Sequence, residues 1–375
     1  MKIGIIDADL IGRKNHNFPN IACEKISSYY KERNDDVDLL TNYEFDPDNY
    51  NKIYISKVFT DTSVPEWVTK IDGVNIGGTG FYFDKAPNLP DEIEHHMPDY
   101  HLYDTWIESQ INNAMETAKK SGKEFKENRF LNKYKEYTDY SIGFLTRGCF
   151  RKCDFCVNRK YDHVFQQAVL NEFYDPTRKK ICLLDDNFFG YKDWETLFDL
   201  IIQTNKRFKF KQGMDARILN DRKCEKLFSA KYDGDYTFAF DNIKDYELIE
   251  RKLELIRSYT QRRLMFYVFC GFDRTNCWDN FWYQDIIDVF KRIELLMKYG
   301  RLPYIMRFNR YIESPFRGMY VTLARWCNQP NMFKRKSFEE YCMMESRSQK
   351  YLQDFISNTN IKSDYPHFLT MRFGN

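Results

Sequence analysis

The sequence predicts an α/β protein in two parts, a small α/β segment followed by a partial barrel of six strand–helix units. Three observations predict it. Apolar runs near 140–145, 181–184, 207–214, 236–240, 264–270 and 303–308 have the length of strands, and amphipathic helical patterns such as 192–204, 245–258 and 281–298 separate most of them. Strands alternating with helices imply parallel βαβ units, and six units are too few for a full eight-stranded barrel. Polar residues then gather just after the strands: Asp185-Asp186-Asn187, Asp215 and Arg217, Asp241-Asn242, Gly271 and Asp273, Arg307 and Asn309. In a parallel barrel the strand C-termini and the loops after them build the active site. Finally, Pro87, Pro90 and Pro98 break the chain ahead of the regular part.

The elements follow in order. Ile3–Ile6 reads as a short buried strand. A helix follows over Pro19–Tyr30, with Asn17 near its cap and Pro19 in its first turn. Further strands are expected at Lys52–Phe59 and Gly73–Ile76, the second running into the turn Gly77-Gly78-Thr79-Gly80. Residues 1–100 form the first domain, and 101–137 are a lysine-rich helical linker. The barrel occupies 138–330, and 331–375 is an extension with a helix over Ser337–Ile356.

Composition narrows the functional classes. The 57 basic and 55 acidic residues leave a formal charge of +2, so no global field favours nucleic acid or an anionic membrane. The apolar run at Ile3–Ile6 is too short for a signal-peptide core, and no stretch approaches the length that spans a bilayer. The expected compartment is the cytoplasm. In a reducing compartment the ten cysteines do not read as a disulfide framework. Cys23, Cys182, Cys224, Cys270, Cys327 and Cys342 are scattered, and Cys270 with Cys277 is one close spacing. The other is sharper: Cys149-Phe-Arg-Lys-Cys153-Asp-Phe-Cys156, directly after the first barrel strand.

Thiolates are the usual ligands of iron–sulfur clusters. A four-iron cluster held by only three keeps one iron open to a substrate ligand, and an aminocarboxylate can chelate it. A zinc site would want a fourth Cys or His at structural spacing; His163 is the nearby candidate and belongs to no paired motif. The three-cysteine spacing, the aromatic Phe155 before the last cysteine, and the place after the first barrel strand resemble the radical S-adenosylmethionine superfamily, over about residues 138–330. The resemblance implies a 4Fe–4S cluster on Cys149, Cys153 and Cys156. It implies reductive cleavage of S-adenosylmethionine to a 5′-deoxyadenosyl radical, and an electron donor such as flavodoxin or ferredoxin. It also implies cofactor contacts: Phe155 against the adenine ring, Asp185, Asp186 or Asn187 accepting from the ammonium, and backbone approach at Gly271. Arg217 reads as a carboxylate partner or as half of a structural ion pair. Asp241 and Asn242 are candidates to face the substrate.

Residues 1–100 resemble a shortened cobalamin-binding domain, through Asp7-Ala-Asp9-Leu-Ile-Gly12, Asn17-Phe-Pro19-Asn20 and the glycine turn at Gly77. That family places a histidine where this chain has Asp9, and a carboxylate substitutes poorly for imidazole on cobalt. Cobalamin is therefore not favoured, and the segment reads as a scaffold. Cobalamin-assisted methyl transfer and RNA methylthiolation are the alternative reactions. The second usually needs three more cysteines in the N-terminal domain, where only Cys23 lies. A non-catalytic iron–sulfur module is the alternative of another class. His95-His96 and His101 sit in a Pro-bounded acidic stretch and read as a solvated loop. Arg317, Arg325, Lys334, Arg335 and Lys336 interleave with Phe316, Tyr320, Trp326 and Phe333. That mixture can bind a single strand of nucleic acid, but helix ends over core aromatics are the simpler reading.

Overall fold

The computed structural model describes residues 1–272 and 278–374. Asp273 and Cys277 lie outside the described residues, as does the side chain of Asn309. The fold is α/β with parallel sheets, and the chain divides into two compact units, Met1–Phe208 and Lys209–Asn375.

The first unit opens with β1 (Lys2–Asp7). Ile3 and Ile5 join one hydrophobic cluster and Ile6 another, so both faces of the sheet are covered, as parallel sheets require. Asp7 ends the strand and caps α1 (Ala8–Gly12), its Oδ1 accepting from the N–H groups of Asp9 and Leu10 at 3.1 and 3.2 Å. Next comes α2 (Ile21–Lys31), capped by Asn20, whose Oδ1 accepts from the Cys23 N–H at 3.4 Å. The cap is thus Asn20 and not Asn17, and Pro19 precedes the helix. The Asn20 amide also donates to Ser56 at 2.9 Å, which fixes the entry of the helix. Then β2 (Asp36–Leu39), β3 (Lys52–Ser56) and β4 (Asn75–Gly77) complete a four-stranded parallel sheet in the order β2-β1-β3-β4.

After the helix Asp104–Lys120 come β5 (Tyr140–Gly143), β6 (Thr146–Arg147), β7 (Phe165–Gln166) and β8 (Lys180–Leu183). β5 and β8 pair in parallel, and the short antiparallel pair β6–β7 brackets the cysteine loop. The first unit does not stop at the proline-rich stretch. Tyr100 Oη accepts from the Ile142 N–H at 2.7 Å and donates to the Phe173 carbonyl at 2.6 Å. The buried Arg178 guanidinium donates to the carbonyls of Tyr137 and Tyr100, at 2.6 Å each. Phe18 and Ile21 pack on the buried Tyr140, Ile142 and Cys182. These ties join residues 1–100 to β5 and β8, so the chain divides in β9 (Arg207–Phe210), inside the segment that the sequence reads as one barrel domain.

The second unit holds β10 (Tyr236–Ala239), β11 (Leu264–Cys270) and β12 (Leu302–Arg307), parallel in that order. The helix Trp278–Lys298 carries the buried Arg292. Its guanidinium donates to the carbonyls of Phe240, Asp241 and Phe269 at 3.1, 3.0 and 2.9 Å, closing the C-terminal ends of β10 and β11. The expected tail helix is two helices, Phe338–Cys342, begun by a capping box of Ser337 and Glu340, and Ser346–Ser357. Among the described residues no helix is long and apolar enough to cross a membrane.

Candidate metal centre

The cysteine loop hangs between β6 and β7. Gly148 opens it with φ +85°, a left-handed conformation, and a Cβ there would lie 2.3 Å from the His163 carbonyl oxygen. Only glycine suits both conditions. Cys149, Cys153 and Cys156 follow, all half-buried, as is Phe155. The Cys156 N–H bonds to the Cys153 carbonyl at 3.0 Å, turning the chain between the last two thiols. Donors already point at two of the sulfurs. The Arg151 N–H and the Asn187 amide donate to Cys149 Sγ, each at 3.3 Å, and the Asn158 N–H donates to Cys156 Sγ at 3.4 Å.

The remaining described cysteines differ in kind. Cys23, Cys182, Cys224, Cys270, Cys327 and Cys342 are buried. Burial pushes the thiols of Cys23, Cys224, Cys270, Cys327 and Cys342 upward, holding them protonated. Ligand thiolates need access and gain from hydrogen-bond donors to the sulfur; all three thiols of the triplet have the first, and Cys149 and Cys156 have the second. Three accessible thiols in one loop have the ligand chemistry that an iron–sulfur cluster takes. Among the described residues no group of three His, Cys, Asp or Glu side chains is arranged to hold a single metal ion.

The acidic run after β8 shapes this loop from below. Asp185 is buried; its Oδ1 accepts from the Thr146 N–H and hydroxyl, both at 2.6 Å, and its Oδ2 from the Leu145 N–H at 3.2 Å. Burial pushes its carboxyl up to about 7, against the pull of those hydrogen bonds. Asp186 Oδ2 accepts from the Gly148 N–H at 2.8 Å and Oδ1 from the Asn158 amide at 2.6 Å, so one carboxylate grips both flanks of the cysteine loop. Burial raises its pKa and the Arg147 charge opposes that rise. Asn187 is buried with its amide on Cys149. The structure therefore brings the acidic triplet to the cysteines, in a supporting position, with the oxygens of Asp186 accepting from the loop and those of Asp185 from Leu145 and Thr146 just before it.

In the second unit, the Arg217 guanidinium donates to Asp215 at 2.6 Å and to Asp245 at 2.7 Å. Burial works against its charge, yet the two carboxylates hold its pKa above the usual arginine range. Asp241 is pushed up to about 6 by burial, with Arg292 and Arg217 opposing. Gly271 has φ +78°, a Cβ there would lie 2.9 Å from the Tyr311 Cβ, and its N–H donates to the half-buried Asp285 at 2.8 Å. Asp285 is shared with the Tyr320 hydroxyl, at 2.8 Å.

Other sequence candidates have separate uses. Asp9 is buried, accepting from the Val58 N–H at 2.6 Å and from the Thr62 hydroxyl, so it ties α1 to the loop after β3. His95, His96 and His101 each face a different carboxylate, Glu172, Glu32 and Asp104. Tyr320, Trp326 and Phe333 are buried in the core of the second unit. Residues that sequence reasoning passed over are Asn158, which completes the grip of Asp186, and Arg147, described below. No protein-family model, curated protein or solved structure matches the chain.

Proposed function

We propose that the chain is a radical S-adenosylmethionine enzyme that holds a 4Fe–4S cluster through Cys149, Cys153 and Cys156. The observation that carries this reading is the contrast among the cysteines: one loop presents three half-exposed thiols, two of them, Cys149 and Cys156, with N–H donors on their sulfurs, while the other six described are buried. When bound, the cluster supplies the electron that cleaves S-adenosylmethionine, leaving a 5′-deoxyadenosyl radical to take hydrogen from the substrate. The residues of this chain hold and orient. Arg151, Asn158 and Asn187 direct N–H groups at the sulfurs, and Asp186 keeps the loop flanks together. Phe155 stands beside the last ligand as the adenine contact. The Arg217 guanidinium is held by Asp215 and Asp245, which is the structural ion pair. The finer fold, a partial barrel of six strand–helix units, belongs to the same proposal and is supported by the alternation of β8–β12 with helices and by the parallel pairing of β5 with β8.

Cobalamin is not part of this reading, since Asp9 is committed to Val58 and Thr62. The test is anaerobic reconstitution with iron and sulfide, then reduction in the presence of S-adenosylmethionine. Release of 5′-deoxyadenosine is expected even without the natural substrate. A brown, iron-loaded protein that never releases it would make the chain a binding module.

A further inference from the structure

We propose that a cavity of about 560 Å³ in the first unit binds an organic anion with an apolar or aromatic body, and that Arg147 is its charge contact. The cavity lies at the carboxyl end of the first sheet. Ser56 and Gly77 reach it from the ends of β3 and β4, and Ile21 and Ala22 from the first turn of α2. The strand order reverses between β1 and β3, and the cavity lies beside that point, at the ends of β3 and β4, where open parallel sheets commonly take ligands beyond the strand ends. Phe144, Arg147, Tyr161 and Phe165, which flank the cysteine loop, form the opposite wall. The volume lies within the small-molecule range.

The chemistry of the wall selects the ligand. Ile21, Ile55, Ile76, Leu89, Phe144 and Phe165 make much of it apolar. Most of its polar side chains are already paired: Lys25 with Glu94 at 2.9 Å, His95 with Glu172 at 2.6 Å, and Asn75 with the Ile53 carbonyl at 3.4 Å. Arg147 differs. Its guanidinium lies 3.8 Å from the Phe144 ring centroid, and among the described residues it makes no hydrogen bond. The carboxylate it acts on electrostatically is Asp186, whose oxygens are engaged by Gly148 and Asn158. A guanidinium stacked on a ring keeps its fork of donors for a carboxylate or phosphate. The opposing charge of Asp91 sits at the exposed rim. Under the proposed function, the ligand of a cavity beside the cysteine loop is the substrate; binding itself requires no cluster.

The test is a fluorescence titration of the full chain with two probes that share a ring system, 8-anilino-1-naphthalenesulfonate and the uncharged N-phenyl-1-naphthylamine. One saturable site per chain is expected for each. Arg147→Gln should weaken the sulfonate by about tenfold or more and the uncharged probe by less than about twofold, with Arg147→Lys in between. Ala22→Phe, which fills the cavity from α2, should weaken both. Circular dichroism confirms that each variant is folded. Displacement of the sulfonate by indole-3-acetate assigns the carboxylate class, and displacement by adenosine monophosphate the phosphate class. Absence of a saturable site, equal losses for the two probes in R147Q, unchanged binding in A22F, or displacement by neither anion overturns the proposal. None of these readouts passes through the cysteines, so failure here leaves the cluster assignment standing, and the reverse.

Discussion

The buried amide of Asn187 donates to the Sγ of Cys149 at 3.3 Å, from the third position of the polar run that follows β8. A donor aimed at a ligand sulfur stabilises negative charge there, and that charge grows when a cluster is reduced. Asn187→Leu is therefore expected to lower the midpoint potential of the reconstituted protein by on the order of 40 mV, the equivalent of about 1 kcal/mol for one electron. A redox titration followed by electron paramagnetic resonance measures it. An unmoved potential at wild-type iron content would show that the amide does not serve the sulfur.

The contrast between exposed and buried thiols separates two kinds of cysteine variant. Cys149→Ala, Cys153→Ala and Cys156→Ala should each abolish the brown absorbance of reconstituted protein with little change in thermal stability. Cys224→Ala and Cys342→Ala, at buried sites, should keep wild-type iron and lose about 1 kcal/mol of stability. Iron analysis beside thermal unfolding reads both. A buried cysteine as necessary for iron as the triplet would contradict the three-ligand assignment.

Asp186 makes a prediction that its place after a strand does not suggest. A residue that only met the ammonium of a cofactor would leave the cluster alone when removed. Here its oxygens hold Gly148 and Asn158, on the two sides of the cysteines. Asp186→Ala should reduce iron retention, and Asn158→Ala should reproduce part of the defect. Full iron retention in D186A, with S-adenosylmethionine binding alone weakened, would restore the ammonium role.

The hydrogen bonds of Asp186 mark where the sequence was legible and where it was not. All six apolar runs from 140 onward became strands, because strand length and polar ends agree at each one and helices separate the last five. β2 was missed because Asp-Val-Asp-Leu carries too little apolar signal for a short, half-exposed edge strand. The ties of residues 1–100 to β5 and β8 were not legible, because proline marks a break in local structure, while Tyr100 and Arg178 make ties across it to residues far along the chain. Asp185, Asp186 and Arg217 were correctly set at strand ends, but spacing cannot tell whether a side chain there turns to a ligand or to its own loop. Asn158 lies 28 residues from Asp186, and no local pattern announces that pairing.

The fully buried Asp7 ties stability to pH in the first unit. Its Oδ1 caps α1 and its Oδ2 accepts from the Tyr103 hydroxyl at 2.9 Å. Burial pushes the carboxyl up to about 7 from an ordinary 3.8, with the Tyr103 hydrogen bond pulling the other way and the Asp9 charge adding to the rise. A raised value means that the folded state holds the proton more tightly than the unfolded chain does. The resulting stabilisation is complete below about pH 4 and is lost as the pH rises through about 7, at up to about 1.4 kcal/mol per pH unit inside that window. Asp7→Asn mimics the protonated form, since its Oδ1 can still accept from Asp9 and Leu10 while its amide donates to Tyr103. The variant should therefore match the wild type near about pH 4 and exceed it increasingly toward about pH 8. Urea midpoints taken across that range measure the difference. A gap that stays constant with pH, or that narrows as pH rises, would mean that Asp7 is ionised in the folded protein throughout.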